Sequence, residues 1–176
     1  MMSETIIDLR NATEADRQKT AAQQQLIFNY NQTMPMTPEA DDLLHQIFGD
    51  RIGTNTNVAA PVHIVRPENV HIGNNVSIMY NALMMAAGGI EIEDNVQIAA
   101  NAQLVSNNHD LKERSILIGK KITIKQGAWI GAGATILPGI TVGVNAVIGT
   151  GSVVTKNVEA NTVVAGNPAR MIKVIG

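Results

Sequence analysis

Cysteine is absent from this chain, which removes disulfides, thiolate metal sites and a cysteine nucleophile from consideration. Aromatic residues are scarce: one Trp, two Tyr and two Phe in 176 positions. Neither sign of charge dominates, because 13 Lys plus Arg against 15 Asp plus Glu leave a net charge of -2. That balance gives no footing for nucleic acid or an anionic membrane. No apolar run approaches the roughly 20 residues of a membrane span. Met1 to Arg10 also lacks the apolar core of a signal peptide. These absences lead us to expect a cytoplasmic protein with no nucleic-acid or membrane partner. The length suits one domain with a continuous core.

What the chain does contain is a period of six. Ile118, Ile124, Ile130, Ile136, Val142, Ile148 and Val154 recur at that spacing. The residue four places after each is small or aliphatic: Ile122, Ala128, Ala134, Ile140, Ala146, Ser152 and Val158. A helix of 3.6 residues per turn rotates such positions off any one face. A unit of short strand plus turn does not, and hexapeptide repeats mark a β-helix. Upstream the period continues through Ile72 and Ile78, fits less well at Met84, and resets by two residues before Ile92, Ile98 and Leu104. A second break runs from about Ser106 to Leu117. Three units close one triangular coil of about 18 residues, so Ile118, Ile136 and Val154 are expected to stack vertically. Coils would lie about 4.8 Å apart, the spacing of hydrogen-bonded strands. So narrow a prism has little room for large rings, which suits the shortage of aromatics. Gly119, Gly131, Gly143 and Gly149 directly follow aliphatic positions and are expected to supply turn geometry costly to other residues.

The first fifty residues differ in kind. Thr13 and Asp16 resemble a capping box, followed at helical spacing by Ala22, Leu26 and Tyr30. Pro35 and Pro38 then break the chain. Thr37 as N-cap, Pro38 at the first helical position and Gly49 past the end frame a second helix. Its pairs Leu43/Ile47 and Leu44/Phe48 form one apolar stripe. Residues 1–50 are thus expected to be a helical cap over the open end of a β-helix spanning 51–176, whose end coil would otherwise present unpaired backbone groups.

The repeat halts at a polar excursion, Ser106-Asn107-Asn108-His109-Asp110-Leu111-Lys112-Glu113-Arg114. Loops on a rigid scaffold are where function concentrates. Gly131-Ala132-Gly133 and Gly149-Thr150-Gly151 fall inside the six-residue frame and are not nucleotide loops, which require a strand-to-helix context.

From Pro61 to Lys173 the chain resembles the galactoside and maltose O-acetyltransferases of the hexapeptide-repeat acyltransferases. The resemblance rests on Val70-His71-Ile72-Gly73, Asn81, Asn107-Asn108-His109 and Ala128-Trp129-Ile130-Gly131. It continues through Leu137-Pro138-Gly139, Val147-Ile148-Gly149, Ser152-Val153-Val154-Thr155-Lys156 and Gly166-Asn167-Pro168-Ala169-Arg170. Tyr30-Asn31-Gln32-Thr33 and Leu43-Leu44 extend it into the helical cap. It implies a mainly β fold, a left-handed parallel β-helix with an N-terminal helical cap, against the usual right-handed crossover. It further implies a homotrimer, with acetyl-CoA as acyl donor and a small-molecule acceptor held between neighbouring subunits, and no metal.

The family's catalytic histidine falls on His109. Imidazole changes charge near neutral pH and suits removal of a hydroxyl proton during attack on a thioester. Neither a cysteine nor a Gly-x-Ser-x-Gly elbow suggests a covalent intermediate, so direct attack in a ternary complex is the simpler route. Asn81 and Asn108 are candidate oxyanion donors, although asparagine often serves turns. The resemblance assigns Ala132 and Thr150 to the pantetheine arm, and Thr155, Lys156, Arg170 and Lys173 to the nucleotide end, whose phosphates pair with cations. Trp129 has an outward phase and its role stays open between cleft and subunit contact.

Where the galactoside enzymes carry aspartate, serine, asparagine and aspartate around the sugar, this chain has Asn11, Val65, Met79 and Ala87. With Met84 and Met85 nearby, that region reads as apolar and adaptable. The stretch from His109 to Trp129 is also shorter than in the galactoside enzyme. A less polar alcohol or a differently shaped sugar is therefore expected. Three alternatives share parts of this reading. Acetylation of an amino or nucleotide sugar would use the same histidine and donor. A non-catalytic β-helix scaffold would use neither. A γ-class carbonic anhydrase needs three zinc-binding histidines, which His45, His63, His71 and His109 do not match in spacing.

Overall fold

The computed structural model describes residues 4–176, most of which wind as short parallel strands into a left-handed triangular β-helix. Three sheets form the faces of the prism, each identified here by one residue of its surface. The His71 face contains Val70–Ile72, Ile90–Ile92, Ile122–Ile124 and Thr141–Val142. The Trp129 face runs through Asn57–Val58, Ser77–Ile78, Gln97–Ile98, Trp129–Ile130, Val147–Ile148 and Thr162–Gly166. The Thr135 face has five strands: His63–Val65, Leu83–Met85, Gln103–Val105, Thr135–Ile136 and Val153–Val154. Alternate residues point inward, so Ile64, Met84, Leu104, Ile136 and Val154 form one stack, every member 2% exposed or less. Burying each such side chain stabilises the fold by about 1.5–3 kcal/mol.

Two expectations change here. Met84 fits the stack fully, between Ile64 and Leu104. Ile118, by contrast, is not in it, because Leu104 occupies the place beneath Ile136. Ile118 lies in the strand Ile116–Gly119 of the excursion, paired antiparallel with Asn107–His109. The six-residue spacing of the downstream repeat reaches back from Ile124 into the end of this insertion, so spacing alone could not separate Ile118 from Ile124 and its successors.

The glycines also act differently from expectation. Gly131 and Gly143 do not adopt positive φ; a Cβ at either would stand 2.5 Å from backbone of the next coil. They are needed for closeness of approach. Left-handed turn geometry falls two residues after Gly131 and Gly149, at Gly133 (φ 65°) and Gly151 (φ 69°), and at Asn81 and Asn101 on earlier coils of the same edge.

Helix α1 (Glu14–Gln32) begins at the Thr13/Asp16 capping box, and helix α2 (Pro38–Phe48) runs from Thr37 to Gly49. Ile27 and Tyr30 of α1, with Ala40, Leu44, Ile47 and Phe48 of α2, join the core of the first coil. Ala22 stays exposed, while Leu26 packs half-buried against the core, so the apolar stripe of α1 runs through Leu26, Ile27 and Tyr30. The cap satisfies the strand groups that have no coil above them. Asn31 gives its side-chain amide to the Val62 carbonyl (2.8 Å) and accepts the Val62 N–H (2.9 Å). Gln24 donates to the Ile64 carbonyl at 3.0 Å and the Tyr30 hydroxyl donates to that of Val58. At the opposite end Ala169–Val174 folds back antiparallel on Thr162–Gly166. Among the described residues no helix is long and apolar enough to cross a membrane.

Candidate active site

The coil opens only once between its first and last turns, on the edge between the Thr135 and His71 faces. Ser106 anchors the exit. Its buried hydroxyl donates to the Met85 carbonyl (2.7 Å) and accepts the Gly88 N–H (2.9 Å). The Lys120 N–H closes the base of the loop on the Ser106 carbonyl at 2.8 Å. Gly88 and Gly119 face each other across this stem, where a Cβ on Gly119 would lie 2.7 Å from the Gly88 Cα. The excursion rises as a hairpin, and Thr5–Asp8 adds a third, antiparallel strand against Ile116–Gly119. That N-terminal strand went unread in the sequence; the β-branched run Thr5-Ile6-Ile7 was its only signal.

His109 ends the first hairpin strand, opposite Leu117, with its side chain exposed. Its Nδ1 contacts the Arg114 carbonyl. A carbonyl only accepts, so Nδ1 carries the hydrogen, and in the neutral form of the ring the free lone pair is on Nε2. The tip that supplies this carbonyl is fixed by Asp110, whose Oδ1 accepts the N–H groups of Lys112 (2.8 Å) and Glu113 (2.9 Å). Those two bonds, Glu113's first, together with the Arg114 charge, hold the Asp110 carboxyl below the usual carboxylate range. Arg114 in turn donates to the Asp110 carbonyl at 2.8 Å. The imidazole is therefore oriented by a loop that organises itself.

An open groove of about 1190 Å³ lies beside His109, walled by Asn108, Leu111, Lys112, Arg114, Ile118, Lys120 and Pro138. Asn108 thus lies within reach of the same space as the imidazole. Asn81 does not; it occupies a left-handed turn (φ 59°) on another edge, with its N–H bonded to the Pro61 carbonyl at 2.7 Å.

The other candidates divide between two edges of the prism. Met79, Asn81, Ala132 and Thr150 follow strands of the Trp129 face, on its edge with the Thr135 face. Val65, Ala87, His109, Thr155 and Lys156 belong to the next edge, between the Thr135 and His71 faces. None of Asn11, Val65, Met79, Asn81 and Ala87 lines the His109 groove. Asn11 lies beyond Thr5–Asp8, in a smaller pocket with Arg66 and Glu68. Ala87 is only 5% exposed, packed at the stem beside Gly119, and offers little surface to a ligand. Lys156 and Arg170 share a pocket of about 220 Å³ at the carboxyl-terminal end, and Lys173 lies on the same final strand as Arg170. Trp129 is 52% exposed at mid-face, between Gln97 and Val147, remote in phase from the hairpin edge. His45, His63 and His71 lie on α2, the Thr135 face and the His71 face. No three potential metal ligands cluster among the described residues. The cations Lys112, Arg114 and Lys120 carried no assigned role in the sequence, where they read only as polarity of a loop.

Comparison with known proteins accords with this architecture. The six-repeat bacterial transferase hexapeptide model matches residues 121–156, and the hexapeptide repeat of succinyl-transferase matches residues 68–104. A maltose O-acetyltransferase from Clostridium difficile 630 is 37% identical, superposes with a TM-score of 0.87, and shares 93% of this chain and 90% of its own. A galactoside acetyltransferase in complex with coenzyme A is 33% identical, with a TM-score of 0.88 over 94% of this chain and 85% of that one. A hexapeptide-repeat acetyltransferase from Vibrio cholerae, complexed with acetyl coenzyme A, is 28% identical with a TM-score of 0.88, over 94% of this chain and 91% of that one. No curated protein matches in sequence.

Proposed function

This chain belongs to the hexapeptide-repeat acetyltransferases, and we propose that it moves the acetyl group of acetyl-CoA to a hydroxyl of a small acceptor, with His109 as general base. The observation that carries the proposal is the His109 geometry: Nδ1–H committed to the Arg114 carbonyl, and Nε2 free beside an open groove. Nε2 takes the hydroxyl proton as the acceptor oxygen attacks the thioester carbonyl. The tetrahedral intermediate then expels the coenzyme A thiolate, which recovers that proton from the imidazolium. The Asn108 side chain is the group in the groove suited to the transient oxyanion.

The division of residues between two edges supports a shared site. His109 stands on one edge, whereas Ala132 and Thr150, the expected track of the pantetheine arm, stand on the next. One chain presents them on different edges, whereas a ring of chains sets one copy's hairpin edge against its neighbour's Ala132 edge. A cyclic trimer makes that heterologous contact three times and closes. Thr155, Lys156, Arg170 and Lys173 then serve the nucleotide end of the donor, with cations toward its phosphates. We place this activity in the cytoplasm.

The test is His109→Ala. It should bind acetyl-CoA as wild type does and lose about 10²-fold or more in turnover, because a general base acts in the transition state. Wild-type turnover in this variant on a working acceptor would remove His109 from the mechanism.

A further inference from the structure

We propose that the acceptor carries an anionic group, a phosphate or a carboxylate, held by Lys112 and Arg114 while its hydroxyl meets His109. This builds on the reading of His109 as the base. The groove beside His109 is lined by Lys112, Arg114 and Lys120 against a single carboxylate, Asp110. That is a local excess of cations in a chain whose net charge is -2. Asp110 offsets them only in part: its Oδ1 accepts the Lys112 and Glu113 N–H groups, and although its charge interacts with Arg114 it forms an ion pair with none of the three. Glu113, the other carboxylate of the tip, contacts Arg10 at 3.5 Å and lines no part of the groove. Lys120 is held by Glu4 at 2.8 Å. Lys112 and Arg114 form no ion pair among the described residues.

Two cations without an ion-pair partner beside a catalytic base favour a ligand that brings countercharge. A neutral sugar gives them only neutral acceptors, whereas a phosphate or carboxylate forms shorter, charge-assisted bonds. Arg114 is also preset for this, since its bond to the Asp110 carbonyl ties the guanidinium to the loop that orients His109. The donor's phosphates have other partners, because Lys156 and Arg170 line a separate pocket at the carboxyl-terminal end. Met84 points into the prism core and so leaves the expected apolar acceptor patch, whereas Met79 lies on the edge that a neighbouring copy would set against the hairpin.

The experiment measures acetyl transfer at saturating acetyl-CoA for matched pairs: glucose 6-phosphate against glucose, and lactate against methyl lactate. Wild type should prefer the charged member of at least one pair, the pair itself telling phosphate from carboxylate. Lys112→Gln and Arg114→Gln should each reduce the charged-to-neutral ratio of kcat/KM by about tenfold, equivalent to 1.4 kcal/mol. The KM for acetyl-CoA should not move, and the preference should weaken as salt rises. Equal use of both members, or a raised KM for acetyl-CoA in Lys112→Gln, overturns the proposal, the latter by assigning these cations to the donor. If none of the four is acetylated, equilibrium dialysis against the enzyme with coenzyme A decides, and no preferential binding of a charged member overturns it. Should His109→Ala keep full turnover while the charge preference persists, the base assignment falls and the anion site stands.

Discussion

Ile118 and Ile136 occupy the same phase of the six-residue repeat, yet the fold gives them different work, and truncating each to alanine separates the two. Ile136 is completely buried between Leu104 and Val154. Removing three carbons there forfeits about 2.4 kcal/mol of transfer free energy at roughly 0.8 kcal/mol per carbon. The stacked coils above and below are tied by strand hydrogen bonds and cannot collapse into the gap. A cavity contribution therefore brings the cost to about 3–4 kcal/mol, inside the range for buried Ile→Ala changes. At roughly 2–4 °C per kcal/mol for a chain of this size, the midpoint should fall by about 6–16 °C. Ile118 is half-buried in the hairpin beside the groove, so Ile118→Ala should cost under about 1.5 kcal/mol. Both melts are followed by circular dichroism at one fixed protein concentration, since association also shifts the midpoint. Equal shifts in the two variants would refute the register in which Leu104, and not Ile118, underlies Ile136.

Other outcomes follow from the same geometry. Gly119→Ala drives a Cβ to 2.7 Å from the Gly88 Cα, so the hairpin stem should shift and turnover fall by about tenfold or more; a variant with wild-type kinetics would show the stem to be irrelevant to His109. The Asp110 carboxyl sits below the usual carboxylate range, so its support of the tip is fully present above that range and fades only as pH falls through the lowered value. Amide exchange at Lys112 and Glu113 should therefore stay slow across neutral and mildly acidic pH, after correction for its intrinsic pH dependence, and Asp110→Ala should abolish that protection. Galactosides and maltose should be poor acceptors, because neither brings a charge to the Lys112 and Arg114 side of the groove; efficient acetylation of either in a sugar and alcohol screen would contradict this.

The prism was legible because its rule is local and repeated. Each coil needs an inward aliphatic residue at fixed spacing, and both helices carried their own start and stop signals at Thr13, Thr37 and Gly49. What escaped was set by contacts between distant segments. Thr5–Asp8 becomes a strand only because Ile116–Gly119 offers it an edge. The role of Gly131 depends on the Ile148 carbonyl of the next coil, which no local preference for turns reveals. At the site, His109 stood out as the histidine where the repeat stops. The Arg114 carbonyl that sets its tautomer could not be foreseen, since a backbone oxygen has no signature in sequence.

A regular β-helix is a poor place for chemistry, and the position of the hairpin follows from that. Along the coils, backbone donors and acceptors are consumed by neighbouring turns, and inward side chains are apolar with few exceptions such as Ser152 and Thr162. A reactive imidazole needs a polar partner, an exposed face and a fixed orientation, and no coil position supplies all three. Leaving the coil at Ser106 creates them in fourteen or so residues, while Gly88 and Gly119 let the chain re-enter without disturbing the stack. The excursion interrupts a single edge, so the scaffold beneath it keeps its register, with Leu104 still paired to Ile136 across the insertion. Acceptor recognition can then change through Lys112, Arg114 and the loop tip, while the aliphatic stack and the Ala132 and Thr150 edge stay as they are.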